Sequence, residues 1–400
     1  MARSRNPTAD GLHQTTFFEL QTQRVLSVAQ APNPVMPAAK LFGVVLALMG
    51  IGMVIQASHA ASTTNSFAEW FDLIKEHLIF RMGGIAALIG AYRIGPRGVR
   101  RYLPVLMVLV TIALMLVYTD TFGAKLNGAN RWVKLLPGLT FQPSELARIV
   151  LVLWIADRCV RLGDQLLDFR TGLLPMLLVV GAFFGLVAAE TDLGGSLLLF
   201  ICALATMWVG GGKVAHLAIS VISVGGGAIV LGATMIPYIR GRVDMFRGGV
   251  INEQVESSMH AIQYGGLDGM GIGQGHVRTS GIPYLNSDYV FSQIGEELGL
   301  FGTSLVILLL ISFLWFSLRL VLSIRNRFEA LVAFGLLMSV SVQAMIHVQV
   351  NAGLAPPKGM TLPFISDGGT SLIVSSIAVG LALGASRQLS SSNNLHPTEA

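Results

Sequence analysis

Apolar runs of about 20 residues, the length that crosses a hydrocarbon core, recur from residue 41 to residue 385 and are joined mostly by short polar connections. Charged residues make up 12% of the 400 positions, about half the ~25% usual for soluble domains. With 53% hydrophobic residues and a mean hydropathy of +0.66, lipid is the natural solvent of this chain. The expected fold class is therefore all-α, a polytopic membrane bundle of about ten transmembrane helices. Spans are expected near 41–60, 78–95, 103–119, 142–158, 172–189, 193–209, 214–236, 299–320, 328–350 and 369–386.

The spans divide the chain into a polar tail over 1–40, helices 1–7 over 41–236, a long loop over 237–298, helices 8–10 over 299–386 and a short tail over 387–400. The first tail has no apolar stretch followed by a small-residue cleavage site, and reads as retained and disordered. With both termini cytoplasmic, the inner segments collect Arg93, Arg97, Arg100, Arg101, Arg158, Arg161, Arg170, Lys213, Arg319, Arg325, Arg327 and Arg387. That satisfies the positive-inside bias. Two outward loops are nevertheless basic: 120–141 carries Lys125, Arg131 and Lys134, and 237–298 carries Arg240, Arg242, Arg247 and Arg278. They point either to an anionic ligand on the outer face or to contacts with lipid headgroups.

The two cysteines, Cys159 and Cys202, offer no disulfide framework or zinc cluster. The eight histidines lack metal-ligand spacing, and there is no Ser-x-x-Lys of the penicillin-binding type. Chemistry must come from carboxylates and cations. Asp288 stands where the long loop meets the eighth span. It is either the N-cap of a short helix carrying Ser292 to Leu298 or a general base in a partly desolvated pocket, where burial raises its pKa. Glu145 and Arg148 share a face of the fourth helix, three residues apart, as a structural ion pair or as a pair lining a wet cavity. Glu190-Thr191-Asp192 makes a short outward turn in which Thr191 or Asp192 caps the sixth helix. The glycine run Gly265 to Gly275 gives a flexible or tightly turning backbone, and sits between membrane spans rather than after a strand as a dinucleotide loop would. Three prolines and several glycines between Asn351 and Ser371 forbid a regular helix. Irregular backbone at membrane depth is tolerated where it lines a cavity, and Lys358 is the cation presented there.

These segments together resemble one family, the SEDS proteins of cell shape, division and sporulation, which include FtsW and RodA. Asn127-Gly128-Ala129-Asn130-Arg131-Trp132 with Gln142-Pro143-Ser144-Glu145 resembles its Asn-Gly-x-x-Arg-Trp and Gln-Pro-Ser-Glu signature. Glu190 to Gly194 resembles a Glu-Pro-Asp-Leu-Gly turn, and Asp288 with Phe291 and Gly295-Glu296-Glu297-Leu298-Gly299 resembles the Thr-Asp-Phe-Ile-Phe and Gly-Glu-Glu-Leu-Gly block. Leu362-Pro363-Phe364-Ile365-Ser366 with Gly368-Gly369 resembles the late Leu-Pro-x-x-Ser-x-Gly-Gly segment. The four matches keep their order over nearly the whole membrane region. Lys358-Gly359-Met360-Thr361-Leu362-Pro363 is similar to the division branch. Departures from the pattern are Thr191 for proline, Arg148 for lysine, Gly275 for serine, Arg278 for lysine, Tyr284 for glutamate, Ser287 for threonine and Asp367 for an aromatic or amide residue.

The resemblance implies a peptidoglycan glycosyltransferase that polymerises lipid II at the outer face of the cell membrane, at the division septum. It gives Asp288 the general base role, and it implies a class B penicillin-binding transpeptidase and other division membrane proteins as partners, with no nucleic acid. Arg131, Glu145, Arg148, Arg278, Lys358 and Ser366 are then expected to contact lipid II or the undecaprenyl-pyrophosphate-linked glycan, with Arg131, Lys358 and either Arg278 or Arg247 stabilising the departing charge. A divalent cation is compatible with the chemistry, although no ligand cluster marks one. The rival readings are an elongation polymerase like RodA, a flippase that moves the lipid without making bonds, and a scaffold whose chemistry has decayed.

Overall fold

In a computed structural model, residues 35–126, 129–136, 139–226, 253–275 and 286–387 are described. The expected tail over 1–34, the end of the seventh span, part of the long loop with Arg240, Arg242, Arg247, Arg278 and Tyr284, and residues 388–400 lie outside them. The helices are α1 (Val35–Thr63), α2 (Phe67–Arg100), α3 (Leu103–Leu116), α4 (Pro143–Leu162), α5 (Leu174–Ala189), α6 (Leu193–Val209), α7 (Val214–Ser220), α8 (Glu253–Gly265), α9 (Val290–Ser323), α10 (Arg327–Asn351) and α11 (Gly369–Ala385). Among the described residues, five helical stretches are long and apolar enough to cross a membrane, and four shorter apolar helices accompany them. The protein is a multi-pass membrane protein. Its large apolar side chains are exposed along α1, α2, α3 and α9, where Val54, Ile79, Leu109 and Leu308 face outward, as a surface solvated by lipid requires.

α4 is the exception that organises the bundle. It carries Glu145, Arg148, Asp157, Arg158 and Arg161, yet most of it is buried, from Pro143 to Cys159. A helix this polar is stable at membrane depth only when protein surrounds it, and it packs against α3, α6 and α10. At the end of the bundle remote from Asp288, buried Asp157 accepts from Arg100 at 2.6 Å and Arg161 at 2.7 Å, while Arg97 pairs with buried Glu329 at 2.9 Å.

The most extensive helix pairing joins α2 to α11. Small residues permit it: a β-carbon at Gly380 would collide with the Leu88 carbonyl, one at Gly84 with the Leu372 side chain, and one at Gly384 would meet the Tyr92 carbonyl at 2.7 Å. Close backbone approach through glycine is the usual means of helix association in lipid, where apolar burial gives no drive. α2 bends at Gly95 (φ 64°, ψ 169°) because Pro96 keeps its predecessor out of the α region.

Two local structures exceed what the sequence reading specified. The basic 120–141 loop folds as a three-stranded antiparallel sheet, β1 (Gly123–Leu126), β2 (Ala129–Leu136) and β3 (Leu139–Phe141), with Gly123 opposite Val133 and Val133 opposite Phe141. Alternation along β2 buries Val133 and leaves Lys134 exposed, the period-2 pattern of a half-covered strand. The short helix over Ser292 to Leu298 and the eighth span form one element, α9, broken at Gly299 (φ 63°, ψ −155°). The glycine run crosses that break. Met270 N–H donates to the Glu296 carbonyl at 2.9 Å, Gly271 N–H to that of Glu297 at 3.0 Å, and Leu300 N–H to that of Gly266 at 2.9 Å. The run thus satisfies backbone groups that the interrupted helix leaves open.

Gly380→Val places a branched side chain against the α2 backbone. Overpacking of this kind costs about 1–3 kcal/mol, so the purified variant should melt lower in detergent than the parent, and an unchanged melting temperature would show that the α2–α11 seam is looser than drawn.

Candidate functional site

Asp288 ends a turn formed by Asn286, Ser287 and Asp288 immediately before α9. The capping alternative fails, because Tyr289 occupies the N-cap position and no side chain caps the helix. Each of the three carbonyls of the turn is instead held by a side chain or backbone from elsewhere. The Asn286 carbonyl accepts from Gln56 Nε2 at 3.0 Å and from Asp367 N–H at 3.0 Å, the Ser287 carbonyl from Ser366 Oγ at 2.6 Å, and the Asp288 carbonyl from Asn351 Nδ2 at 3.1 Å. Asn286 Nδ2 returns a bond to Asp367 Oδ2 at 3.0 Å. The clamp extends below: Asn351 Oδ1 accepts from Ser292 N–H at 3.1 Å and Ser292 Oγ at 2.9 Å, and its carbonyl accepts from Ser258 Oγ on α8 at 3.0 Å. The carboxylate is therefore carried on a rigid seat, as a preorganised group must be. Burial lifts its pKa to about 6 against the opposing pull of Arg131 and of the Ser287 hydroxyl.

Arg131 reaches the site from β2. Its Nη2 donates to the Thr191 carbonyl at 2.6 Å, and its Nη1 lies 3.9 Å from Asp192 Oδ1. Asp192 rather than Thr191 caps α6, accepting from Gly195 N–H at 2.9 Å, while its other oxygen accepts from Gln142 Nε2 at 2.9 Å. Thr191 has φ 61°, a left-handed conformation that costs a non-glycine residue about 1–2 kcal/mol. Proline is locked near φ −65°, so the turn in this geometry excludes the proline of the family pattern. Glu190, beside it, is 1% exposed, and burial together with Asp192 pushes its carboxyl up to about 9.

The 357–362 segment runs from the α6 terminus to Asp288. A β-carbon at Gly194 would meet Lys358 Cδ at 3.6 Å, and one at Gly359 would meet Asp288 Oδ2 at 3.0 Å. Lys358 thus runs beside the α6 terminus, and Gly359 lies flat on the carboxylate. The segment is fixed from α10 and α11: His347 Nδ1 bonds the Met360 carbonyl at 2.7 Å, Gln343 Nε2 donates to the Thr361 carbonyl at 3.0 Å, and the Thr361 and Ser371 hydroxyls meet at 2.9 Å.

Of the residues singled out in the sequence, Asp288, Arg131, Lys358 and Ser366 converge here. Ser366 acts through the backbone: besides holding Ser287, its hydroxyl accepts from Leu362 N–H at 2.8 Å. Glu145 lies near Ser371 and within the fields of Arg148 and Asp192, with Oε2 buried and unpartnered. Arg148 is buried one turn deeper, its charge felt at Cys202. Neither 4 Å ion-pair geometry nor a hydrogen bond joins Glu145 to Arg148, so the structural ion pair expected as one alternative does not form. Arg278 lies outside the described residues. Among the described residues, no three His, Cys, Asp or Glu side chains converge as metal ligands. The residues missed in the sequence are Gln56, Gln343, His347 and Asn351. The last three recur every fourth position along one face of α10, a polar stripe on an otherwise apolar span.

A family model described as cell cycle protein, of the FtsW, RodA and SpoVE group, matches residues 38–391. The chain is 30% identical over 361 residues to a probable peptidoglycan glycosyltransferase FtsW of Geobacter metallireducens, covering 87% of this chain and 94% of that one. It is 33% identical to a protein of the same name in Thioalkalivibrio sulfidiphilus (86% and 88% covered) and 29% identical to stage V sporulation protein E of Bacillus subtilis (88% and 97% covered). Among solved structures, a chain of a peptidoglycan synthase complex that coordinates polymerization and crosslinking superposes with a TM-score of 0.72 at 24% identity, covering 87% of this chain and 97% of that one. Thermus thermophilus rod shape determining protein RodA superposes with a TM-score of 0.64 at 22% identity, covering 87% and 96%.

Asn351→Ala removes the donor to the Asp288 carbonyl, at about 1–3 kcal/mol for a buried group left unpaired, while the Ser292 amide keeps its bond to the Tyr289 carbonyl. Thermal unfolding in detergent should register the loss, and a variant as stable as the parent would mean that the seat of Asp288 is held by other contacts.

Proposed function

The chain belongs to the FtsW, RodA and SpoVE family of cell cycle proteins, and from that premise we propose that it polymerises lipid II into glycan strands, with Asp288 as the general base. The observation that carries the reading is the desolvated Asp288 carboxylate, seated by three anchored carbonyls and faced by Arg131. The attacking sugar hydroxyl is a weak nucleophile, and a positioned base contributes roughly 10²–10⁴-fold. In the step proposed, Asp288 takes the hydroxyl proton of one lipid-linked sugar, and the oxygen forms a bond to the anomeric carbon of the other chain. The bond from that carbon to the diphosphate breaks with inversion, so an α-linked donor gives a β linkage, and undecaprenyl diphosphate leaves. Arg131 and Lys358 supply fixed positive charge where the diphosphate gathers negative charge, the arrangement that stabilises a transition state without reorganisation. Glu145, Arg148, Ser366 and Arg278 are assigned to contact the same lipid-linked substrate from the family resemblance.

The site lies on the outer face in this reading, with both termini cytoplasmic and the division septum as the place of work. A class B penicillin-binding transpeptidase is the expected partner, with other division membrane proteins around it. The names of the relatives in Geobacter and Thioalkalivibrio support the division branch. Co-purification with such a transpeptidase and septal localisation of a fluorescent fusion test this part.

Purified protein given labelled lipid II should make polymer, and Asp288→Asn should lower the rate by two or more orders of magnitude with folding intact. A variant that polymerises normally, or a parent that only translocates lipid II, would remove the base assignment. Because the base works ionised and its pKa is about 6, activity should rise with pH through that value and flatten above it. A rate independent of pH between about 5 and 7 would contradict the assignment. Gly359→Ala presses a methyl group onto the carboxylate. Displacements well under 1 Å at a reacting group cost on the order of ten-fold, and the loss should fall on kcat.

A further inference from the structure

Glu190 is a buried acid that the proposed chemistry does not use. It follows α5 directly, outside the membrane-spanning stretch that ends at Ala189. Both of its carboxyl oxygens are buried without a hydrogen-bond partner, and so is Nε of Arg131. Its neighbours in the turn are engaged: Thr191 accepts from Arg131 through its carbonyl, and Asp192 divides its oxygens between Gly195 N–H and Gln142 Nε2. The charged and titratable groups facing Glu190 are Asp192 in its own turn, Arg131 from β2 and Tyr118 from the segment after α3. No ion pair within 4 Å joins Glu190 to Arg131, although that cation lies close enough to act on Glu190 and on Asp288 alike.

A buried carboxylate without hydrogen bonds is among the costliest arrangements in a protein, whereas the neutral acid is tolerated. An ionised Glu190 would also compete with Asp288 for one guanidinium. We propose that Glu190 is a positioning residue that works as a neutral acid: it packs behind Arg131 without claiming its charge, leaving that charge to Asp288 and to the departing diphosphate. The inference rests on the polymerase reading for its consequence, and on the geometry of the turn for its chemistry. The carboxyl's pKa of about 9 agrees with it. The sign is definite: the folded state holds the proton more tightly than the unfolded chain, so stability falls as pH rises from the ordinary carboxylate range through about 9 and is flat beyond.

Three measurements test it. In polymerisation assays, Glu190→Ala should lower kcat by about ten-fold as Arg131 loses its backing, and the isosteric neutral Glu190→Gln should restore most of the rate. Beyond the plateau above pH 6, the parent should lose activity as pH passes about 9, and this alkaline limb should vanish in Glu190→Gln. In infrared difference spectra at neutral pH, the parent should carry a protonated-carboxyl band that is absent from Glu190→Gln and that titrates away near pH 9. Overturning results are a folded Glu190→Gln as inactive as Glu190→Ala, an Ala variant as active as the parent, or no carboxyl band assignable to Glu190. Should the parent make no polymer at all, the polymerase reading fails, while the infrared band still decides the protonation of Glu190.

Discussion

A carboxylate withdrawn from water and opposed by one guanidinium is the interaction on which the rest of this architecture turns. Asp288 and Arg131 arrive from opposite halves of the chain, one at the start of α9 and the other on a short sheet between α3 and α4. Neither segment could hold its charge alone. The desolvation that raises the carboxyl's pKa needs the Lys358 to Met360 segment laid over it, and the guanidinium needs the Glu190 to Asp192 turn behind it. Four stretches of sequence that are far apart meet to create one local field.

The scaffold around that field joins side-chain pairs such as Asn286 with Asp367 to hydrogen bonds on backbone carbonyls. Ser366, Asn351, Gln56 and Asp367 each reach a carbonyl or amide of the turn. Gln56, Asn351 and Ser366 are buried in the protein, where hydrogen bonds are stronger than in water and fix geometry. The same bonding operates on α10, where Gln343 and His347 hold the 360–361 backbone that covers the site.

Much of this was legible in the sequence, and the reasons divide cleanly. Apolar length places the spans, and Pro143 at the first turn of α4 and Gly299 ahead of the eighth span mark their joints. Asp288 stood out because an acid at a membrane boundary needs a reason. The Gln343, His347 and Asn351 stripe was equally readable as an i, i+4, i+8 series but was masked by the apolar run containing it. The sheet over 123–141 was missed because its strands are short and interrupted by register shifts, which leaves little alternation to detect. The clamp on Asn286 to Asp288 was beyond reach, since it joins positions as distant as Gln56 and Asn286 through backbone atoms, which carry no sequence identity. The departure at Asp367 acquires a meaning only in three dimensions, where it grips Asn286 through both main chain and side chain.

The interruption at Gly299 separates α9 into a seat and a shaft. Asp288 is fastened to the short upper piece, which is braced by Asn351, α8 and the glycine run, whereas the lower piece presents Leu300, Phe301, Leu305 and Leu308 to the lipid. The joint is pinned from both sides, because the glycine run bonds Glu296 and Glu297 on the seat and Leu300 on the shaft. The Asp288 carboxylate thus takes its position from the protein packed around the seat rather than from the lipid-facing helix below it.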